Sequence, residues 1–269
     1  MALSAEEIVK LYKDRKIAQG PIHEQMRRVR DLANGDIVIP LNELDKNAKA
    51  SVANLLVQGL DQMSMRVAST MPTPYFPPMK EGSERSKGSA KIRKQAMQAM
   101  WDHNRMPQKM RRRARHLLGY STSAVYIKPD FNTLQPKWHV INPLDTFAAP
   151  VDDPDDPLPL DCIFTYRTTA QYLISRYGQN VVDVLRMGKI QQDTKYTMLE
   201  YVSPDSIQLV VMGAEDDPTW SPAERSGIGA VELEFIPNRT GRSLAVVANR
   251  ITLDKPRGQF DGILGMYYT

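Results

Sequence analysis

The chain is poor in the residues that usually carry chemistry or staple a fold. Its 269 residues include one cysteine, Cys162, and four histidines. A single thiol excludes an internal disulfide framework, and the scattered histidines give no metal-ligand spacing. Aromatic residues make up only 7%. The longest stretch without a charge, residues 67–79, holds four prolines, and nothing approaches the roughly 18 to 20 apolar residues of a spanning helix. The first seven residues show no basic start leading into an apolar run, so no signal peptide and a reducing cytoplasm are expected. G-x-S-x-G, H-E-x-x-H and internal repeats are absent as well. Residues 82–89, GSERSKGS, lack the closing Gly-Lys-Ser/Thr of a phosphate-binding loop and read as a solvated loop. Four aspartates at 152, 153, 155 and 156 would suit a divalent cation, but two interleaved prolines and no EF-hand glycine make them a plain acidic loop. The expectation is a protein that is not an enzyme, with no catalytic residues, no cofactor and no metal.

What is present is charge, unevenly spread. Hydrophobic residues are 42% and charged residues 25%, an ordinary globular balance. Residues 1–150 hold 24 Lys and Arg against 14 Asp and Glu, whereas residues 151–269 hold 11 against 17. Neither half needs such a bias to build a core. It points to a particle with one region suited to polyanions or acidic partners.

The periodicity also changes along the chain. Ser4 and Glu7 make a capping box ahead of Ile8, Leu11 and Tyr12 at helical spacing. Gly20-Pro21 breaks that helix, and a second runs through Met26, Val29 and Leu32. Ala53, Leu56, Leu60, Met63 and Val67 draw one apolar stripe on a helix over 46–70. Prolines at 72, 74, 77 and 78 force an extended segment. Helices over 89–104 and 107–118 follow, with Gly119 ending the second. The period then falls toward two, predicting strands over 123–128, 137–141, 195–202, 206–212, 231–236 and 244–249, with one short helix opened by Thr168-Thr169. The fold class expected is α+β, a helical, basic region over 1–120 and a β-rich, acidic region over 121–269 whose sheet is mostly antiparallel.

One constellation stands out on the helix from Pro107. At 100° per residue, Ala114, Leu117 and Leu118 fall within about 80° of Met110. Lys109, Arg111, Arg112, Arg115 and His116 fall on the opposite face, with Arg113 at the flank. Guanidiniums fixed on a rigid rod grip phosphates or acidic side chains. Lys109, Arg111, Arg112, Arg113 and Arg115 are therefore the candidate contacts, to DNA or to a protein partner. No base-reading motif accompanies them, so contact to DNA would be non-specific. Fourteen methionines, many in the helical half, suit surfaces that repack against neighbours.

Three stretches give the chain a family likeness. They are the helix at 47–68 (NAKASVANLLVQGLDQMSMRVA) with the proline-rich segment after it, the run 111–127 (RRRARHLLGYSTSAVYI) leading to Asn142-Pro143-Leu144-Asp145, and 257–265 (RGQFDGILG). In this order they resemble the portal proteins of tailed bacteriophages with long non-contractile tails, and the span corresponds to the N-terminal wing portion. The stem, clip and crown of that family match no residue here. The resemblance implies a homo-oligomeric ring of twelve subunits at one capsid vertex, through which double-stranded DNA is packaged and ejected. It implies as partners the major capsid protein, the terminase motor and a head–tail adaptor, with no membrane, and as location the virion, with the host cytoplasm during assembly. Two other readings stay open: a non-specific nucleic-acid-binding module using the basic helix, and a phosphoryl-transfer enzyme using the aspartates at 152–156.

Overall fold

The computed structural model describes residues 2–34, 55–69, 74–150, 157–178, 180–181, 195–212 and 230–249. In chain order its elements are α1 (Ala5–Ala18), α2 (Gly20–Asn34), α3 (Leu55–Ser69), α4 (Glu84–His103), α5 (Met106–Tyr120), β1 (Thr122–Asp130), β2 (Gln135–Ile141), a 3-10 turn (Pro143–Asp145), β3 (Thr146–Ala148), β4 (Cys162–Thr169), α6 (Ala170–Tyr177), β5 (Lys195–Val202), β6 (Ser206–Met212), β7 (Ala230–Pro237) and β8 (Ala245–Asn249). The fold is α+β, with antiparallel sheet. The expected start of the 46–70 helix, the aspartates at 152–156 and the 257–265 stretch lie outside the described residues. No helix among the described residues is long and apolar enough to cross a membrane.

Two compact units form, one chiefly from residues 1–24 and 141–248, the other chiefly from 25–140, with the boundary inside α2. They do not follow secondary-structure class: α1 belongs with the long sheet, and the β1–β2 hairpin belongs with α3, α4 and α5.

In the first unit five strands run β3-β4-β5-β6-β7, each antiparallel to its neighbour. Ile8 and Tyr12 of α1 pack on one face with Phe147, Ile163, Leu199, Tyr201, Val210 and Met212. Ala170 and Leu173 of α6 pack on the other with Tyr196, Met198, Leu209 and Val211. Cover on both faces explains why every residue of β6 is buried and why its second half, Leu209 to Met212, is a continuous apolar run. Ser4 Oγ accepts from the Glu7 amide at 3.3 Å while Glu7 accepts from the Ser4 amide at 2.7 Å, the capping box expected of this spacing. Farther along α1, Arg15 pairs with Asp161 where both side chains are mostly buried, and donates to the Phe147 carbonyl at 3.1 Å. Tyr201 donates to the other oxygen of Asp161 at 3.3 Å. Strand β4 was not among the expected strands, because Thr168-Thr169 was read only as a helix start. The pair is shared: β4 runs to Thr169, whose hydroxyl then caps α6 by accepting from the Tyr172 amide at 3.3 Å.

In the second unit Val29, Leu32 and Leu60 form a small core, with Leu118 and Tyr120 packed against it. Two local expectations are corrected here. Residues 84–89 are the first turns of α4 and not a loop: Ser83 caps the helix by accepting from the Ser86 amide at 3.4 Å, and Lys87 pairs with Glu84 at 2.9 Å. Only Ala90 of α4 is buried, so the helix lacks the apolar stripe by which helices are found in sequence. Gly119 does not end α5 either. It is buried inside the helix, where a methyl group would sit 3.8 Å from Leu60 Cδ2, so a large side chain there would push α5 off α3. The end comes at Ser121, in the left-handed region at φ 58°, with its hydroxyl buried and unpartnered among the described residues.

A left-handed helix stop favours glycine, and a buried hydroxyl without a partner costs free energy. Ser121→Gly should therefore stabilise the protein by about 1 kcal/mol, read as a rise in the denaturant midpoint at unchanged slope. A lower midpoint would show that the hydroxyl has a structural partner.

Candidate functional site

Helix α5 starts at Met106 with Pro107 in its first turn, where a missing amide costs nothing. Met106 and Ala114 are buried, while Gln108, Arg111, Arg112 and Arg115 are exposed. Residues three and four apart share a face, so these four line one side of the helix. Arg115 is additionally held by Asp61 of α3 at 3.4 Å, which fixes its direction and offsets part of its charge. Arg111 and Arg112 form no ion pair among the described residues. The two outermost guanidiniums thus project from a helix whose far side is packed.

The other basic side chains of α5 leave this face. Arg113 is half-buried: it contacts Met110 Sδ at 3.8 Å, its Nε has no partner among the described residues, and burial lowers its pKa. Lys109 turns toward β2, donating to the Trp138 carbonyl at 2.6 Å and to Asn104 Oδ1 at 3.4 Å, and burial lowers its pKa too. His116, read from the helical wheel as part of the basic face, packs beside Tyr120 with ring centroids 6.0 Å apart and Nδ1 buried. A wheel gives angles but not neighbours, and β1, β2 and α3 reach farther round α5 than its apolar stripe suggests.

Asn104, buried at the end of α4, organises this corner. Its amide donates to the Met100 carbonyl at 3.0 Å and the Pro136 carbonyl at 2.9 Å, and its Oδ1 accepts from the Trp138 amide at 2.9 Å. It thereby ties the α4–α5 turn to β2. Arg105 follows in the left-handed region at φ 50°. Next to this turn lies a cleft of about 250 Å³ lined by His103, Arg105, Lys109, Lys137 and His139 together with Asn104 and Gln108. Sequence reasoning missed His103, Arg105, Lys137 and His139 as a group, because some 30 positions separate the two contributing segments; the only local sign was Asn104 before Pro107, a helix stop and restart. It also passed over the exposed cations Lys91, Arg93 and Lys94 of α4.

Elsewhere no group of three or more His, Cys, Asp or Glu side chains converges as a metal site among the described residues. Cys162 is fully buried, and burial pushes its thiol far above the ordinary value, so it is not a thiolate nucleophile. Neither a protein-family model nor a curated protein matches the chain.

Burial, together with the positive charges of Arg112 and Arg115, holds the His116 pKa at about 4 against an ordinary 6.5. The unfolded chain then takes up the proton first, so stability falls as pH drops from about 6.5 toward 4 and the loss levels off below that. The loss attributable to this residue should reach roughly 3 kcal/mol, and His116→Leu should remove that part of the slope in urea unfolding measured against pH. An identical pH profile for the variant would mean that the ring is charged in the folded state.

Proposed function

We propose that the chain is the wing portion of a portal-type ring subunit, a structural component that assembles with its own copies at a capsid vertex and passes double-stranded DNA. It acts by shape and self-association and transforms no substrate. The observation that carries this reading is the opposite charge of two separately packed units. Residues 25–140 hold 20 Lys and Arg against 9 Asp and Glu, whereas residues 1–24 with 141–248 hold 12 against 20. A ring made from one polypeptide needs a heterologous contact, in which one surface meets a different surface of the next copy. One chain with a basic unit and an acidic unit supplies both sides of such a contact. The long, barely packed α4, with Ile92 67% exposed, adds surface that a neighbouring copy would cover. The resemblance in the 111–127 run supports the same reading, since α5, its buried Gly119 and β1 follow one another there.

Electron micrographs and mass measurement of the purified chain decide the matter. Closed rings of many copies, loosened by high salt as a charge-matched interface requires, are expected. A strict monomer throughout the micromolar range overturns the reading.

The exposed arginines favour a second reading, a non-specific nucleic-acid-binding module. Replacing Arg111, Arg112 and Arg115 by Ala should then lower the slope of log affinity for duplex DNA against log salt by about two to three. Retention with an unchanged slope would dismiss these three side chains as phosphate contacts.

A further inference from the structure

The cleft beside the α4–α5 turn gathers five side chains that are cationic or can be: His103 and Arg105 at the turn, Lys109 on α5, Lys137 and His139 on β2. No carboxylate among the described residues lines it. Lys137 has its own counter-charge, Asp130 at 2.6 Å. Arg105 and Lys109 do not pair with a carboxylate among the described residues. Lys109 is the most telling: its partly buried side chain donates to two neutral oxygens, the Trp138 carbonyl and Asn104 Oδ1. The fold holds it at the wall of a cleft where other cations converge, and gains no core packing from Arg105 or His103, both exposed; His139, also exposed, sets its ring 6.5 Å from that of Tyr126.

Such a gathering is stabilised by an anion, and the donors define which kind. A guanidinium offers a two-pronged fork, the ammonium, the Gln108 amide and the imidazoles add single donors, and together they exceed what the two oxygens of a carboxylate can accept. A phosphate presents three oxygens and up to two charges. A volume of about 250 Å³ lies below the roughly 300–1,000 Å³ of pockets that enclose whole ligands, so one compact group fits and a nucleotide cofactor does not. We propose that this cleft binds a phosphate group, either free or at the end of a nucleic-acid strand. Gln108 stands one helical turn from Arg111 and Arg112, so a strand whose terminal phosphate sat in the cleft would continue along the exposed arginines. The proposal does not depend on ring assembly: a monomer would leave it standing, and a ring blind to phosphate would overturn it alone.

The test titrates the full chain with inorganic phosphate, with a phosphate-terminated single-stranded oligonucleotide and with the same oligonucleotide ending in hydroxyl, following phosphorus resonances and binding heat. The comparison is the combined variant His103→Gln, Arg105→Gly, His139→Gln. These side chains are exposed, and glycine at 105 keeps the left-handed turn without strain. Wild type should bind inorganic phosphate, or the phosphate-terminated strand alone, about tenfold or more tightly than the variant. Binding of inorganic phosphate identifies a free group as sufficient; binding of the terminated strand only identifies a strand end. Should the combined variant lose its fold, Arg105→Gly alone, expected to weaken binding severalfold, serves in its place. The proposal is overturned by absence of binding to both phosphate ligands, by equal affinity for the two strand ends where inorganic phosphate does not bind, or by unchanged binding in a folded variant.

Discussion

Helix α5 can present its arginines only because its other side is held against α3. The contact runs past the buried Gly119, where a methyl group would stand in ordinary van der Waals contact with Leu60, and it continues through Leu118. The same approach carries Arg115 to Asp61. Everything basic about this corner is a consequence of which α5 side chains lie inside that contact and which outside. Arg113 and His116 fall at its edge, lose water, and have their charged forms disfavoured; Arg111 and Arg112 fall outside and stay exposed. Desolvation thus divides one basic segment into a part absorbed by packing and a part left exposed.

Both ends of α5 are held in the left-handed region by residues other than glycine, Arg105 at φ 50° and Ser121 at φ 58°. Each costs on the order of 1 kcal/mol and persists only where the surroundings over-determine the backbone. At the first end the surroundings are identifiable: Asn104 makes hydrogen bonds to Met100, Pro136 and Trp138, so the turn is tied on both sides of Arg105. At the second end β1 begins at once with Thr122 and is buried through Tyr126, which leaves the chain no room to relax after the helix. Strain of this kind fixes where a helix points. A rod gripped at both ends presents its side chains at constant spacing, which a contact to a regular polyanion requires.

How much of this the sequence discloses depends on the range over which each feature is determined. The capping box of α1 and the strands β5 and β6 are local patterns, and residues 195–202 and 206–212 match their expected bounds. Features set by distant partners are hidden. The start of α4 reads as a loop because exposed Arg85, Lys87 and Gly88 show no buried stripe, although Ser83 and Glu84 are a legible cap. Gly119 reads as a stop because sequence cannot tell a glycine that ends a helix from one buried within it beside Leu60. The arginine face was legible at Arg111, Arg112 and Arg115, whereas the fate of Lys109 and His116 was not, since β2 and Tyr120 decide it. The cleft lies beyond sequence reading, because Lys137 and His139 meet Arg105 only through Asn104.

The strength of the exposed face also bears on what it can do. Three phosphate contacts would give a log–log salt slope near −2.7, and affinity would fall about fortyfold between 50 and 200 mM salt. Asp61 already offsets part of Arg115, and with two effective contacts the fall is nearer twelvefold. Either figure is far below the roughly thousandfold or greater losses of proteins that make six to ten phosphate contacts and hold DNA in place. A duplex that must travel past a protein is served by contacts this sparse, aimed at the backbone and indifferent to sequence. Multiplied around a ring they would centre the duplex without arresting it, whereas a single copy would hold it only fleetingly. On the proposed ring reading, a weak face of this kind would gain its use from repetition, for which the opposed charges of the two units would supply the contact.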